Sequence, residues 1–201
     1  MKPIVVAITG ASGVVYGVKC VQALADIGYE IALVISEQAR VVFHEEMGGA
    51  GTKITQMEGL KEIFGPGACE RIKVYSPKDF TSPIASGSYP VEGMIIIPCS
   101  MGTLGAIASG ISQNLIHRAA DCTIKEGRKL VIVPRETPLS AIHLENMLKL
   151  ARLGVRIVPA MPGFYSGAEK IEDLIDFMVG KVLDQLGISH TLYPRWVGSQ
   201  K

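Results

Sequence analysis

The first residues suited to chemistry form the turn Gly10-Ala11-Ser12-Gly13, which follows an apolar run at 4–8. Its glycines permit a tight turn, and the helix predicted to begin there directs free N–H groups and a partial positive charge toward an anion. They lack the G-x-G-x-x-G spacing of a dinucleotide-binding fingerprint. The turn therefore favours the phosphate of a mononucleotide, although an ordinary strand-to-helix turn can have the same residues.

Two further hydroxyl-bearing positions follow apolar runs. The turn Cys99-Ser100-Met101-Gly102-Thr103 enters a predicted helix, and Ser36 ends another run. A hydroxyl at such a position caps the helix or lies beside a bound anion, because both use the same free N–H groups. Ser36 also stands where a dinucleotide-binding protein usually has an acidic residue for the adenosine ribose. Two such turns on neighbouring strands could bracket one phosphate and its ribityl chain, which favours a mononucleotide over NAD.

A charged turn, Pro134-Arg135-Glu136-Thr137-Pro138, places a fixed cation beside a carboxylate at the end of another predicted strand. An Arg–Glu pair in a loop is often only solvated, but its place on the expected ligand edge favours a binding role. Arg118 and Asp121 lie one helical turn apart and could form a surface pair. Lys125 and Lys181 lie on predicted helices, where the pattern alone indicates solvated surface residues.

The elements that must position these turns alternate between strands and helices. Continuous β-branched runs indicate strands buried on both faces of a parallel sheet. The predicted strands are 4–8, 30–36, 72–75, 93–97, 129–133 and 155–158, and the main predicted helices are 14–27, 37–46, 57–64, 103–109, 114–126, 140–153 and 171–186. This order predicts an α/β fold: a doubly wound, mostly parallel sheet of five or six strands in a Rossmann/flavodoxin-like three-layer sandwich. Residues 1–201 form one predicted domain, whose extended tail, about 188–201, contacts another subunit or covers the substrate as a lid.

Composition restricts the function classes. Hydrophobic residues make up 48% and charged residues 19%, so the chain has enough apolar side chains for a large core. The net charge is +1 without a basic stripe, which argues against nucleic-acid binding. Four scattered cysteines indicate neither a disulfide framework nor a zinc site, and they favour a reducing compartment. No run approaches the ~20 apolar residues of a membrane span, so we expect a cytoplasmic protein without membrane contact.

Short segments spread over nearly the whole chain carry a family resemblance. They are Thr9-Gly-Ala-Ser-Gly13, Ala85-Ser-Gly-Ser88, Pro98-Cys-Ser-Met-Gly-Thr103, Asn114-Leu-Ile-His-Arg118, Pro134-Arg-Glu-Thr-Pro138, His143-Leu-Glu-Asn-Met147, Pro162-Gly-Phe-Tyr165 and Tyr193-Pro-Arg-Trp196. Together, and in this order, they resemble the UbiX/Pad1 flavin prenyltransferases. That family belongs to a wider group of flavoproteins that includes the cysteine decarboxylases.

The resemblance implies a prenyl transfer that needs no metal. Dimethylallyl phosphate alkylates reduced FMN at N5, a second bond to C6 closes a fourth ring, and phosphate leaves. The absence of an Asp-rich motif from the sequence agrees with this chemistry. The prenylated FMN would serve UbiD-type decarboxylases, including those of ubiquinone synthesis. The enzyme would be a homo-oligomer, since the family forms dodecamers. The preference between prenyl monophosphate and diphosphate stays open.

The same resemblance assigns site residues by their motif positions. FMN contacts are implied at Gly10, Ala11, Ser12, Ser36, Ser100, Met101, Gly102, Thr103, Arg118 and Arg135. Prenyl phosphate contacts are implied at Ser86, Lys125, Arg135, Tyr165 and Lys181. Catalytic roles are implied for Ser12, Glu46 and Glu136, with Glu45 adjacent to Glu46. Cations and a Tyr hydroxyl suit a leaving phosphate in the absence of a metal. The family often has Arg where this chain has Lys181.

The sequence leaves two other functions open. A related FMN-dependent cysteine decarboxylase would use a catalytic His, and this chain has His117 beside Arg118. It lacks the Pro-x-Met-Asn-x-x-Met-Trp substrate segment of that class. A non-catalytic FMN carrier would need the FMN turns without the cations for the prenyl phosphate.

Overall fold

Strand pairing builds one sheet in which all neighbours run parallel. Its strands, in the part of the chain that is described, are β1 (Ile4–Ile8), β2 (Ile31–Ile35), β3 (Ile72–Tyr75), β4 (Gly93–Cys99), β5 (Lys129–Pro134) and β6 (Arg156–Ile157). Their order across the sheet is β3-β2-β1-β4-β5-β6, and each neighbouring pair is parallel. This is the strand order of a doubly wound Rossmann sheet, so the predicted fold class is confirmed.

The computed structural model describes residues 2–48, 51, 53–54, 56–196 and 198. Positions 197 and 199–201 of the predicted tail lie outside the described residues. Within these ranges, no helix is long and apolar enough to cross a membrane.

Helices connect the strands on both faces of the sheet. They are α1 (Val14–Ile27), α2 (Glu37–Met47), α3 (Met57–Phe64), α4 (Pro66–Cys69), α5 (Met101–Ala108), α6 (Leu115–Lys125), α7 (Ala141–Arg152) and α8 (Ile171–Leu186). Short 3₁₀ turns lie at Pro83–Ala85 and Phe164–Ser166. Each predicted helix agrees with its observed counterpart to within two residues at either end. The short helix α4, which begins at a proline, has no counterpart among the predicted helices.

β4 is longer than the predicted strand because it continues through Pro98 to Cys99. Proline lacks the N–H of a ladder hydrogen bond, and the register with β5 shifts between Ile96 and Cys99. The carbonyl of Pro98 still accepts a hydrogen bond from the N–H of Thr9 at 3.2 Å. β4 therefore reaches the sheet edge at which the predicted ligand turns lie.

The core has two parts, one on each face of the sheet. Alternate residues of β1 enter them: Ile4, Val6 and Ile8 on one face, and Val5 and Ala7 on the other. α1 and α8 pack on the first face, and α5 and α6 pack on the second. Burial on both faces explains the continuous apolar runs of the strands, and it confirms the three-layer sandwich.

The direction of winding reverses at β1. From β1 the chain proceeds to β2 and β3 on one side, and it then returns to β4, β5 and β6 on the other. The helices that follow β1 and β4 pack on opposite faces, so a crevice opens between the carboxyl ends of these two strands. Gly17 of α1 lies so close to β4 that an added Cβ would be 2.6 Å from the carbonyl oxygen of Ile97. Glycine at this position lets α1 pack beside the crevice.

Candidate active site

Thr9 joins the two strand ends that flank this crevice. Its hydroxyl donates to the carbonyl oxygen of Pro98 at 3.0 Å and accepts from the N–H of Ser100 at 2.8 Å. The residue is 1% exposed, so both hydrogen bonds are shielded from water. The N–H of Ala11 donates to the carbonyl oxygen of Thr9 at 2.8 Å. The turns that follow β1 and β4 are therefore fastened to each other.

Ser36 and Ser100 cap the helices that begin on either side of β1. The hydroxyl of Ser36 accepts from the N–H of Ala39 at 3.1 Å, at the start of α2. The hydroxyl of Ser100 accepts from the N–H of Thr103 at 3.3 Å and donates to the Thr103 hydroxyl at 3.1 Å, at the start of α5. Because Ser100 caps it, α5 begins at Met101, two residues before its predicted start. Two capped helix N-termini thus point a partial positive charge at the crevice edge.

The turn at Gly10–Gly13 binds a carboxylate of the protein itself. Gly13 has a left-handed backbone with φ of 94°, which glycine adopts without strain. Its N–H lies 2.9 and 3.0 Å from the two carboxylate oxygens of Glu46, and the N–H of Val14 donates at 3.0 Å. The first N–H groups of α1 are therefore bonded to an anion already. A phosphate would meet negative charge there, so the geometry favours the turn at Ser100–Thr103 for it.

Arg135 connects the turn at Gly10–Gly13 to the end of β5. Its Nε donates to the carbonyl oxygen of Ser12 at 3.3 Å, and its backbone N–H donates to the carbonyl oxygen of Cys99 at 3.3 Å. Ser12 precedes Gly13, the residue that binds Glu46. Three residues that the resemblance implies and that are distant in sequence, Ser12, Glu46 and Arg135, are therefore neighbours.

Arg135 and Glu136 line a cavity of about 240 Å³. Its apolar wall includes Met147, Ala160 and Met161. The carboxylate of Glu136 accepts only a short-range hydrogen bond among those found in the described chain, from the N–H of Thr137 at 2.9 Å. The loop after β5 thus presents a cation and a carboxylate to a partly apolar space.

Arg118 holds the loop that contains Ser86. Its Nε donates to the carbonyl oxygen of Ala85 at 2.9 Å, and its Nη1 pairs with Asp121 at 2.7 Å. The Ser86 hydroxyl lies 2.8 Å from that of Ser88. The predicted surface pair of Arg118 and Asp121 exists, and the same guanidinium also positions the loop beside Ser86.

Lys125 lies near the amino-terminal ends of the strands, whereas Arg135 lies at their carboxyl-terminal ends. It ends α6, and β5 begins shortly afterwards at Lys129 and carries the chain to Arg135. A six-residue strand spans about 20 Å, so one phosphate cannot contact Lys125 and Arg135 of the same chain. Glu126 pairs with Lys125 at 2.6 Å, and this hydrogen bond raises the pKa of the lysine.

Tyr165 and Lys181 line another cavity, of about 410 Å³. The C-terminal segment supplies much of its wall through Tyr193, Pro194, Arg195, Trp196 and Gly198. The structure therefore brings together two of the residues predicted for the prenyl phosphate, one from the loop before α8 and one from α8 itself. It also adds aromatic and cationic side chains from the tail.

His117 is packed against the core side of α6. It is 7% exposed, burial lowers the pKa of its imidazole, and its backbone N–H donates to the Asn114 side chain at 2.9 Å. Its surroundings support a structural role. In the described ranges, no group of three or more His, Cys, Asp or Glu side chains could hold a metal ion.

Known proteins with similar sequences identify the family. The flavoprotein family model matches residues 1–183. The flavin prenyltransferase UbiX of Halalkalibacterium halodurans is 55% identical over 195 residues, which are 95% of this chain and 91% of that protein. The chain belongs to the UbiX flavin prenyltransferase family.

Solved structures of UbiX proteins share its fold. AnUbiX (PadA1), in complex with FMN and dimethylallyl pyrophosphate, has a TM-score of 0.88 at 41% identity, covering 99% of each chain. A dodecameric FMN-dependent UbiX-like decarboxylase from Escherichia coli O157:H7 has a TM-score of 0.84 at 41% identity, covering 98% of this chain and 100% of the other. These matches favour the UbiX interpretation over the cysteine decarboxylase alternative.

Some residues of the candidate site in this UbiX protein have no assigned role in the sequence prediction. Thr9 is one, and its signal is the Thr-Gly pair at the end of a buried strand. Tyr193, Arg195 and Trp196 lie in the tail that the sequence predicts as a subunit contact or a lid, with no separate role for each residue; their signal is a cluster of aromatic and cationic residues in an aperiodic tail.

Proposed function

We propose that this chain joins the dimethylallyl group of dimethylallyl phosphate to N5 and C6 of reduced FMN, as a flavin prenyltransferase. The observation that carries the proposal is the junction at Thr9, which fastens the turns at Gly10–Gly13 and Ser100–Thr103 together at the point where the winding reverses. Helices α1, α2 and α5 all begin at this edge. Such an edge suits a ligand with one phosphate and a long planar ring.

The donor groups at this edge fit the phosphate of FMN. Ser36, Ser100 and Thr103 provide hydroxyls, and the N-termini of α2 and α5 add N–H groups with partial positive charge. Met101 and Gly102 form the first turn of α5, where backbone approaches the ligand. We assign Gly10, Ala11 and Ser12 to the flavin ring, because the adjacent N–H groups already bind Glu46. Arg118 and Arg135 are the cations assigned to FMN.

Cationic side chains are proposed to stabilise the leaving phosphate. Reduced FMN supplies the N5 and C6 atoms that receive the prenyl group, and the carbon–oxygen bond to phosphate breaks. Lys125, Arg135 and Lys181, with the hydroxyl of Tyr165, would oppose the negative charge that develops on the phosphate oxygens. Lys at position 181 keeps the positive charge of an arginine but lacks its bidentate fork. Ser86, in the loop held by Arg118, is assigned to the same phosphate.

The reaction releases the N5 and C6 protons of the reduced flavin and adds one proton to the prenyl double bond as its tertiary carbon bonds to C6. The carboxylate of Glu46 is the proposed acceptor of the C6 proton. The turn at Gly13 holds that carboxylate at the crevice, beside Ser12. Glu45 has no such contact among the described hydrogen bonds, so Glu46 is the better candidate of the two. Glu136, which adjoins Arg135, is proposed to exchange a proton with the leaving phosphate.

We propose that the active site is shared between subunits of a homo-oligomer. Lys125 and Arg135 lie at opposite ends of β5, so they support this proposal: one phosphate can contact both residues only if they come from two chains. α7 supports it too: Ile142, Leu144 and Leu148 are 68%, 53% and 51% exposed on this helix. Apolar exposure of this kind is typical of a surface that packs against another chain. A dodecamer, as in the Escherichia coli relative, is the proposed assembly.

The product is proposed to serve a UbiD-type decarboxylase in the cytoplasm, where ubiquinone synthesis is one pathway that would use it. The sequence composition supports the compartment, since its scattered cysteines suit a reducing environment. Nothing in the chain's charge distribution favours a nucleic acid as partner.

The proposed reaction is tested by anaerobic incubation of the protein with reduced FMN and dimethylallyl phosphate. Mass spectrometry of the extracted flavin should show the addition of one five-carbon prenyl group. Unchanged FMN from folded, flavin-loaded protein would contradict the proposal. A parallel sample with the diphosphate shows which substrate is preferred.

The variant Lys125→Ala distinguishes the proposed enzyme from an FMN carrier without activity. A carrier would bind FMN normally and prenylate no flavin, as wild type and as the variant. The proposed enzyme should bind FMN normally in both forms but should lose most of its prenylation rate in the variant. Prenylation at the normal rate by the variant would show that Lys125 has been assigned wrongly.

A further inference from the structure

Asp184, near the end of α8, holds the C-terminal segment through three side chains. Its carboxylate accepts hydrogen bonds from both terminal nitrogens of Arg195, at 2.6 and 2.7 Å, and from the Tyr193 hydroxyl at 2.7 Å. His190 Nε2 lies 3.2 Å from the same carboxylate. Arg195 also donates to the Tyr193 hydroxyl at 2.9 Å. A bidentate arginine pair with this many partners fixes geometry as well as charge.

Gly180 lets the C-terminal segment pack closely against α8. An added Cβ at Gly180 would be 2.5 Å from two ring carbons of Tyr193 and 2.6 Å from Cε1 of His190. The rings of Phe177 and Tyr193 are 5.0 Å apart. Glycine in the middle of a helix is destabilising relative to alanine, so packing of the tail is the visible reason for it here. The tail therefore lies directly on the helix that carries Lys181.

The two cations of this cavity differ in their pairing. Arg195 is neutralised by Asp184, and the hydrogen bond from Arg195 lowers the pKa of that carboxyl to about 2. Among the described contacts, the ammonium of Lys181 has no hydrogen bond or ion pair. A phosphate entering the cavity would thus find Lys181 available and Arg195 occupied.

We infer that Asp184 and Gly180 are positioning residues that fix the segment His190–Trp196 as the outer wall of the cavity containing Tyr165 and Lys181, and that Arg195 anchors this wall instead of binding phosphate. The inference rests on the proposed function in one respect, the assignment of this cavity to the prenyl phosphate. The anchoring itself does not depend on that assignment. The segment is therefore a fixed wall of the cavity, and loss of the anchor weakens substrate binding without affecting the flavin edge.

Trp196 reports the anchoring directly, because it is the single tryptophan of the chain. Time-resolved fluorescence anisotropy of the flavin-loaded protein should show slow tumbling of Trp196 with the whole particle. Gly180→Ala and Asp184→Asn should each add a fast nanosecond component as the segment detaches. Gly67→Ala is the matched control: Gly67 also lies in a helix, and an added Cβ meets nothing within 4 Å. Unchanged anisotropy in both variants would overturn the anchoring.

Kinetics separate the anchoring from the function of the cavity. Both variants should raise the KM for dimethylallyl phosphate by about tenfold with a smaller change in kcat, while the Kd for FMN stays within about twofold. A detached tail with an unchanged KM would overturn the assignment of the wall to this substrate. If wild-type protein prenylates no flavin, the proposed function fails, and the anisotropy result still decides the anchoring.

Arg195→Gln tests whether Arg195 itself binds phosphate. As an anchor, Arg195→Gln should also raise the KM, but by no more than Asp184→Asn does, because Asp184 additionally holds Tyr193 and His190. The double variant should be no worse than Asp184→Asn alone, because the Arg195–Asp184 contact is already lost in that variant. As a phosphate ligand, Arg195 would be released by Asp184→Asn, and that variant would keep or lower the KM. A KM raised only by Arg195→Gln would overturn the anchoring role.

Discussion

The flavin edge at Thr9 and the cavity at Lys181 are built by different means. At the flavin edge, three adjacent strands end together, and a buried threonine and backbone N–H groups set the positions. At the cavity, contacts between α8 and the tail set the positions through one carboxylate and one glycine. The first arrangement follows from the topology of the sheet, whereas the second depends on contacts that single substitutions can remove. Changes at the edge should therefore affect folding and flavin binding together, and changes at the cavity should weaken binding of the prenyl phosphate and leave flavin binding unchanged.

The largest expected effect is that of Lys181→Ala. Loss of a cation that stabilises developing negative charge should lower kcat/KM for dimethylallyl phosphate by ~100-fold. The Kd for FMN and the free energy of unfolding should stay unchanged, since the ammonium lines the prenyl phosphate cavity and has no hydrogen bond or ion pair among the described contacts. Lys61→Ala, at an exposed lysine of α3, is the control. A loss of FMN binding in Lys181→Ala would remove the distinction between the two regions.

Thr9→Val tests the flavin edge. Valine keeps the shape but leaves the N–H of Ser100 and the carbonyl of Pro98 without this partner in a buried position. The free energy of unfolding should fall by about 2 kcal/mol, and FMN should bind more weakly. Urea unfolding of the flavin-free protein gives the first value, with the exposed Thr191→Val as control. Unchanged stability would mean that topology alone holds the two turns.

Ser100→Ala and Ser140→Ala form a matched pair of capping variants. Each serine accepts a hydrogen bond from the backbone three residues ahead, at the start of α5 and α7 respectively. Each substitution should lower the free energy of unfolding by about 1 kcal/mol. Only Ser100→Ala should weaken FMN binding, as measured by flavin fluorescence titration. If Ser100→Ala and Ser140→Ala bound FMN with equal affinity, the assignment of the FMN phosphate to the N-terminus of α5 would be contradicted.

The smallest effect concerns pH and the tail. The hydrogen bond from Arg195 is the main cause that lowers the pKa of Asp184 from 3.8 to about 2. Because the pKa of Asp184 is lower in the folded state, its ionised carboxylate stabilises the folded protein fully above about pH 4. This stabilisation is lost as the pH falls toward 2 and the carboxylate is protonated. The difference in free energy of unfolding between wild type and Asp184→Asn should shrink over this range. A difference that is constant between pH 5 and 2 would contradict the ionic anchor.

The sequence predicts the flavin edge better than the cavity. The strands and helices around β1 follow from continuous apolar runs and turn glycines, which are local signals. The hydrogen bond between Thr9 and Ser100 spans 91 residues, and the contact of Glu46 with Gly13 spans 33, so no local pattern reveals them. Asp184 and Arg195 lie close in sequence, but the tail has no hydrophobic periodicity from which its path along α8 could be predicted.

One measurement tests most directly whether the active site is shared between subunits, with Arg135 at the flavin edge of one chain and Lys125 supplied by another. Chains with Lys125→Ala and with Arg135→Ala are each expected to be nearly inactive, and the two are then co-assembled into mixed oligomers. If Lys125 and Arg135 of different chains act on the same phosphate, random mixing restores about a quarter of the sites to the wild-type pair. Formation of prenylated FMN should return to that level. Mixed oligomers that stay as inactive as the separate variants would contradict the shared site.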